Sequence, residues 1–134
     1  MSSTVISPIV FSAAENEFLN SQSVCRIATV SSGGWPHNVP VVFAFDGAVF
    51  YIRGHPGEKK LKNIAGNNKV CLIIDVPQKP NGIMVQGLAT LIEHGREFGK
   101  INEIIGQLRG WKKLEEGEQV AITVQPTKKV SWGV

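Results

Sequence analysis

The sequence is poor in residues that hold metals or form cross-links, with two cysteines and three histidines in 134 residues. Cys25 and Cys71 each lie in an apolar stretch, which in a reducing compartment is typical of small buried side chains rather than of a disulfide. His37, His55 and His94 are scattered, with no HExxH or paired-cysteine spacing. We therefore expect neither a disulfide nor a metal site.

The chain also lacks long apolar runs and a strong charge of either sign. No stretch of ~20 apolar residues and no secretory leader is present, so we expect a cytoplasmic protein that does not bind membranes. Fourteen Lys and Arg against 11 Asp and Glu give a net charge of +3, a mild excess that suits small anionic ligands but not nucleic acid. The length fits one domain spanning residues 1–134.

Reactive side chains form no familiar catalytic arrangement. No Ser-His-Asp, Cys-His or paired-carboxylate pattern stands out, and Glu115, Glu116 and Glu118 are typical of a solvated loop. The catalytic residues are therefore unknown, and a bound cofactor would have to carry any reaction.

What the sequence does have is a regular succession of strand patterns separated by turn residues. Asp46-Gly47 is a strong hairpin signal. Gly87, inside a strand pattern, indicates a bulge, and Pro126 is expected to end a strand. The predicted strands cover residues 24–31, 37–45, 48–53, 69–76, 82–93 and 119–125, with a last edge strand over 130–134.

Three helices are predicted between these strands. Ser12-Ala13-Ala14-Glu15 has the form of a capping box and begins a helix that ends near Gln22. A second helix follows Pro56, with Gly66 expected just beyond its end, and a third spans residues 95–109. An apolar stripe on the third helix should face the strands: Phe98, Ile101, Ile104, Ile105 and Leu108. Because consecutive strands usually neighbour one another, we predict a six- to seven-stranded antiparallel β-barrel with appended helices (α+β), not a doubly wound parallel sheet.

The segment from Phe50 to Asn67, FYIRGHPGEKKLKNIAGN, is the most informative part of the chain. A strand passes through a Pro-Gly turn into a short helix that begins with two lysines, Lys59 and Lys60. The N–H groups of a first helical turn lack internal partners, and Gly57 lets the backbone approach a ligand closely. The segment is either an ordinary surface helix or a phosphate-binding turn.

Two longer stretches resemble the pyridoxamine-phosphate-oxidase-like, flavin-binding split barrels. They are VCRIATVSSGGWPHNVPVVF, similar to the first hairpin of that family, and FYIRGHPGEKKLKNIAGNNKVCLII, similar to its segment of strand, basic pair, helix and strand. The final KKVSWGV is similar to its last strand, which carries a tryptophan. The resemblance covers about residues 18–133.

This resemblance implies a homodimer that holds two molecules of flavin mononucleotide (FMN) at the subunit interface. The phosphate would lie on the basic pair and the ring against strand backbones. A lysine pair should grip phosphate less firmly than the arginine often found first in this pair. The residues that match the cofactor contacts of the family are Val39, Pro40 and Val41 on the second strand, Tyr51 and Ile52 on the third, and Gly57, Glu58, Lys59 and Lys60 in the turn.

Some positions depart from the family pattern or allow two interpretations. Glu58 stands where a Ser or Thr hydroxyl is common, Gly82 stands where a polar ring contact is common, and the chain ends at Val134 without the Trp-to-Arg segment of the true oxidase. Pyridoxamine-phosphate oxidase activity is therefore not expected. His55 either contacts the phosphate or is solvated, and Trp132 either stacks on the flavin or closes the barrel. Trp35, Trp111 and His37 have no assigned role.

Three functions remain open. The first is an FMN-dependent oxidoreductase acting on an unidentified small molecule, which we favour. The second is a reductase using the deazaflavin F420 on the same barrel, since a loose lysine pair suits a phosphodiester. The third is a non-catalytic flavin or haem carrier or sensor, suggested by the lack of acid-base residues.

Overall fold

The computed structural model describes residues 9–134 as six strands and three helices. The strands form a closed antiparallel barrel in the order β1-β2-β3-β6-β5-β4, which confirms the predicted fold class. Six strands are present in this range, the lower of the two predicted numbers. Their bounds are β1 Val24–Val30, β2 Pro36–Phe45, β3 Phe50–Gly54, β4 Lys69–Asp75, β5 Gly82–Ile92 and β6 Val120–Trp132; the helices are α1 Ala13–Ser21, α2 Lys59–Gly66 and α3 Gly95–Arg109.

Capping hydrogen bonds and the backbone conformation of the C-cap residues mark the ends of the helices. Both halves of the predicted capping box of α1 are present, because the Glu15 N–H donates to the Ser12 hydroxyl and the Ser12 N–H donates to the Glu15 carboxylate. Helix α3 ends at Gly110, whose φ of +66° favours glycine. Gly66 was expected beyond the end of α2, but it is the last helical residue and Asn67 is the C-cap. Its φ is not positive, so the glycine signal there was misread.

The barrel is filled by the alternating inward side chains of its strands, Ile27, Leu72 and Val85 among them, all fully buried. A second cluster lies outside the barrel wall, where α3 packs against Ala44, Tyr51 and Ala121. The predicted stripe of α3 therefore faces the strands through Phe98, Ile101 and Ile105, whereas Leu108 is 41% exposed and lies outside it.

Strand β6 differs from the prediction that Pro126 ends a strand. It runs without interruption for 13 residues, and Pro126 pairs opposite Gly87. The register shifts between Gln86 and Gly87, which confirms the predicted bulge and leaves Thr127 as the extra residue of β6. A proline is tolerated at a bulge because the ladder is locally interrupted there. Residues 130–132 accordingly belong to β6 rather than to a separate strand.

The two cysteines have different surroundings and neither forms a disulfide. Burial raises the pKa of the Cys25 thiol to about 12, as expected for a core residue. Cys71 is only half-buried and faces the outside of the barrel. Across residues 9–134, no helix combines the length and apolarity needed to cross a membrane.

Candidate functional site

The turn between β3 and α2 has the predicted shape. Gly57 has a φ of +91°, a conformation that side chains disfavour, and α2 begins two residues later. Lys59 is exposed, but Lys60 is only 7% exposed. The two lysines therefore point to different environments, although the sequence presents them as a pair.

Lys60 is paired within the turn. Its Nζ lies 2.9 Å from Glu58 Oε1, and the same oxygen accepts the backbone N–H of His55. The His55 Nδ1 lies 3.9 Å away. Burial raises the pKa of the Glu58 carboxyl, but the His55 N–H and Lys60 outweigh burial and hold that pKa below its ordinary value. Glu58 is therefore an ionised carboxylate that compensates the charge of Lys60.

Lys59 lies instead on a small cavity of about 250 Å³ that is lined mainly by polar residues, which we call the lysine cavity. The sequence analysis missed its second cation, Lys62, and two serine hydroxyls from the turn after β1. The spacing of three residues from Lys59 to Lys62, which puts both on one helix face, is the signal that could have identified it. The lysine cavity is lined by Val30, Ser31, Ser32, Lys59, Lys62, Asn63, Gly66 and Asn67.

A larger depression of about 460 Å³, here called the sheet groove, lies on the outer face of the barrel over β1, β4 and β5. Ala28, Cys71 and Leu88 form part of its lining. Val30 lines both the sheet groove and the lysine cavity, so the two are neighbours. Together they offer a cationic end and a largely apolar surface, which suits an elongated ligand with an anionic tail.

The second-strand residues singled out by resemblance do not share one orientation. Val39 and Val41 pack against the barrel core, whereas Pro40 is exposed. The Phe43 N–H donates to the Ser23 carbonyl, so by alternation the backbone groups of Val39 and Val41 face β1. Pro40 faces the other side, where β2 pairs with β3 only from Phe43 onward. Of the three, Pro40 alone has a carbonyl on this open edge of β2.

Two third-strand candidates are covered in this conformation. The Tyr51 side chain is buried beneath α3 and its hydroxyl donates to Asp46 at 2.8 Å. Burial, together with Asp46, raises the pKa of the Tyr51 hydroxyl. Ile52 points into the barrel core on the opposite face of β3. Neither side chain lines the lysine cavity or the sheet groove, and their role in cofactor binding stays a prediction.

Trp132 lies far from the lysines within one chain. Trp132 pairs opposite Gly82, at the start of β5. The C-terminal end of α2 lies near the other end of that strand, because the Asn68 carbonyl, just after α2, accepts the N–H of Ala89. Gly82 and Ala89 are seven positions apart along β5, roughly 23 Å at ~3.3 Å per residue. Trp132 is 39% exposed and its ring lies over Gly82, where an added Cβ would meet Cζ2 at 2.5 Å. The missing side chain of Gly82 thus makes room for the indole.

The remaining candidates lie elsewhere. Trp111 stacks beneath the Arg53 guanidinium, 4.9 Å from its carbon to the ring centre, beside a 580 Å³ cavity that His55 also lines. Trp35 is 77% exposed at the turn between β1 and β2, and His37 is half-buried with no partner for Nδ1 among the described atoms. Within residues 9–134, no three His, Cys, Asp or Glu residues are grouped as metal ligands.

The closed six-stranded barrel, with its crossover helix between β3 and β4, has the architecture of a split-barrel protein. The pattern of the pyridoxamine 5'-phosphate oxidase family matches residues 11–131. The chain belongs to that family.

Known proteins of several kinds are similar to this chain. A 5a,11a-dehydrotetracycline/5a,11a-dehydrooxytetracycline reductase of Streptomyces rimosus is 26% identical, over 92% of this chain and 84% of the relative. The structure of an F420 reductase aligns with a TM-score of 0.68 and 24% identity, over 86% of this chain and 94% of the other. A FAD-binding protein of Mesorhizobium loti aligns with a TM-score of 0.68 and 20% identity, over 93% and 94%. The two structural similarities establish the fold.

Proposed function

We propose that this protein is an FMN-dependent oxidoreductase that acts on a small molecule. The observation that carries the proposal is the adjacency of the lysine cavity to the sheet groove through Val30. Two lysines and two serine hydroxyls suit the phosphate, whose charge is about −1.5 to −2 at neutral pH. The outer sheet surface between the groove and the open edge of β2 suits a flat, largely apolar ring. The similarity of this chain to two reductases and to a FAD-binding protein supports a flavin or deazaflavin cofactor.

The side chains around these two cavities suit binding more than acid-base chemistry. No carboxylate or imidazole is among the residues that line the lysine cavity or the sheet groove in the described chain. FMN would supply hydride transfer when bound. The protein's own residues would anchor the phosphate at Lys59 and Lys62 and shield the ring on an apolar surface.

A homodimer is the second part of the proposal. Along the outer sheet face, the register places Ile73, Met84 and Val130 side by side, and Val24 and Trp132 lie on the same face. Val24, Ile73, Val130 and Trp132 are between 37% and 50% exposed. Apolar surface of this kind is typical of an interface between subunits. A partner seated there would enclose the sheet groove and would bring a second Trp132 near the site.

FMN titration tests the cation assignment. Lys59→Ala and Lys62→Ala should each weaken FMN binding by about tenfold or more, since a charge-assisted hydrogen bond contributes about 1.5–3 kcal/mol. Lys100→Ala, which removes an exposed lysine of α3, is the matched control and should leave affinity unchanged. Unchanged FMN affinity in both cavity variants would contradict the proposal. Sedimentation of the FMN-loaded protein as a monomer would contradict the dimer.

F420 is the second candidate cofactor, and one observation favours it. The Glu58 carboxylate reduces the positive charge of the turn, which disfavours a dianionic phosphate monoester more than the singly charged phosphodiester of F420. Absorption spectra of the protein as purified, and parallel titrations with FMN and F420, separate the two cofactors.

A further inference from the structure

Glu58 occupies a position built for an anion. Three nitrogen atoms face its Oε1 oxygen: the Lys60 Nζ at 2.9 Å, the backbone N–H of His55 and the His55 Nδ1 at 3.9 Å. Gly54 leaves space for this carboxylate, since a Cβ there would lie 3.0 Å from Oε1. A backbone N–H and an ammonium group that converge in a glycine-containing turn are the donors with which proteins hold phosphate oxygens.

A phosphate that binds in this turn has to interact with the Glu58 carboxylate, because Lys60, the partner of Glu58, is buried. The Lys60 side chain is 8% exposed, whereas that of Glu58 is 39% exposed. Lys60 therefore has little freedom to leave the pair, and a phosphate that used Lys60 would have to displace Glu58 or bind beside it. Either route costs more for a ligand with two negative charges than for a ligand with one.

We infer that Glu58 is a specificity-determining residue that weakens the binding of phosphate monoesters relative to phosphodiesters in this turn. The inference rests on the proposed function, because it concerns how the cofactor's phosphate is selected. Glu58 places a negative charge of the protein itself among the donors of the turn. Lys59 and Lys62, on the exposed side of α2, remain the cations that a ligand meets without competition.

The test compares three probes on the full-length protein: FMN, F420 and riboflavin, which has the ring of FMN without its phosphate. Glu58→Gln keeps the size of the side chain and removes its charge, and Glu58→Ser removes the carboxylate altogether. Either variant should bind FMN about tenfold more tightly than wild type. F420 should gain about threefold, because its phosphodiester carries half the charge of the FMN phosphate and the electrostatic free energy with Glu58 is halved in proportion. Riboflavin affinity should stay the same.

Glu103→Gln is the matched control, since it removes the same charge from an exposed position on α3 and should change none of the three affinities. Thermal melting verifies the folding of each variant, and Glu58→Ser carries the test if Glu58→Gln does not fold. If wild type binds FMN and neither Glu58 variant binds it more tightly, the inference fails and the proposed function stands. Equal tightening of riboflavin and FMN would also overturn the inference. If wild type binds neither FMN nor F420, both fail together.

Discussion

The contact between Trp132 and Gly82 gives a stability prediction whose size follows from distances. In Gly82→Ala, the new Cβ would lie 2.5 Å from Trp132 Cζ2 and 2.9 Å from the Ile74 carbonyl oxygen. Carbon atoms in contact are ordinarily about 3.5–4.0 Å apart, so the contact with the indole is too short by about 1 Å. The indole has to move off the strand, because the other close atom belongs to the backbone. Overpacking of this kind typically costs 1–3 kcal/mol, and we expect about 2 kcal/mol for Gly82→Ala.

A double-mutant cycle with Trp132→Ala separates the two clashes. Without the indole, only the Ile74 carbonyl contact remains, so the cost of Gly82→Ala should fall by about 1 kcal/mol. Urea denaturation followed by far-UV circular dichroism measures each free energy of unfolding at one fixed protein concentration. Circular dichroism is preferred because the cycle removes a tryptophan that contributes to fluorescence.

Gly99→Ala on α3 is the control, because its added Cβ would meet no side chain and no neighbouring element of residues 9–134 within 4 Å. It should stabilise the protein by about 0.5–1 kcal/mol, the usual gain from replacing a helical glycine. If Gly82→Ala costs the same with and without Trp132, within about 0.5 kcal/mol, the indole does not rest on Gly82 and the reasoning is refuted.

Two further predictions concern polar contacts. Asn102 bridges α3 to Leu114 by accepting the Leu114 N–H at 2.8 Å and donating to its carbonyl at 3.1 Å, so Asn102→Ala should lower the free energy of unfolding by about 2 kcal/mol in urea denaturation. A loss below about 0.5 kcal/mol would contradict the bridge. Burial raises the pKa of Glu15, but Lys129 and the Ser12 N–H hold that pKa below its ordinary value, so the stabilising contribution of Glu15 is present at neutral pH and is lost as pH falls through the lowered pKa. Glu15→Gln should therefore flatten the acid limb of a stability-against-pH curve, whereas Glu17→Gln, an exposed residue of α1, should not.

The fold could be predicted because local signals and periodicity agree along most of the chain. The capping box at Ser12 fixed the start of α1, and the apolar spacing of α3 gave its bounds. The prediction for Pro126 was wrong because a proline ends a strand only where the hydrogen bonds between strands are regular. The bulge opposite Gly87 interrupts those hydrogen bonds, so β6 continues through Pro126. That compensation depends on Gly87, which lies 39 residues before Pro126 and outside any local sequence window.

The candidate site could be predicted only in outline. The turn at Gly57 and its lysines are visible in the sequence, but which lysine is free depends on where Glu58 points. The lysine cavity depends on the packing of α2 against the turn after β1, a tertiary contact that brings Lys62 beside Ser31. The spacing of Lys59 and Lys62 in the sequence predicts that they share a helix face, but it does not predict which part of the fold packs against that face.

The open edge of β2 has a consequence for solubility. By alternation, Pro36, Asn38, Pro40 and Val42 face the side of β2 that lacks a ladder partner before Phe43 in the described chain. Unpaired strand edges invite other chains to add a strand, the first step of aggregation. Two of these four residues are prolines and have no N–H to donate. A foreign strand would therefore meet only two N–H donors along these four residues, which protects the open edge of β2 against β-sheet extension.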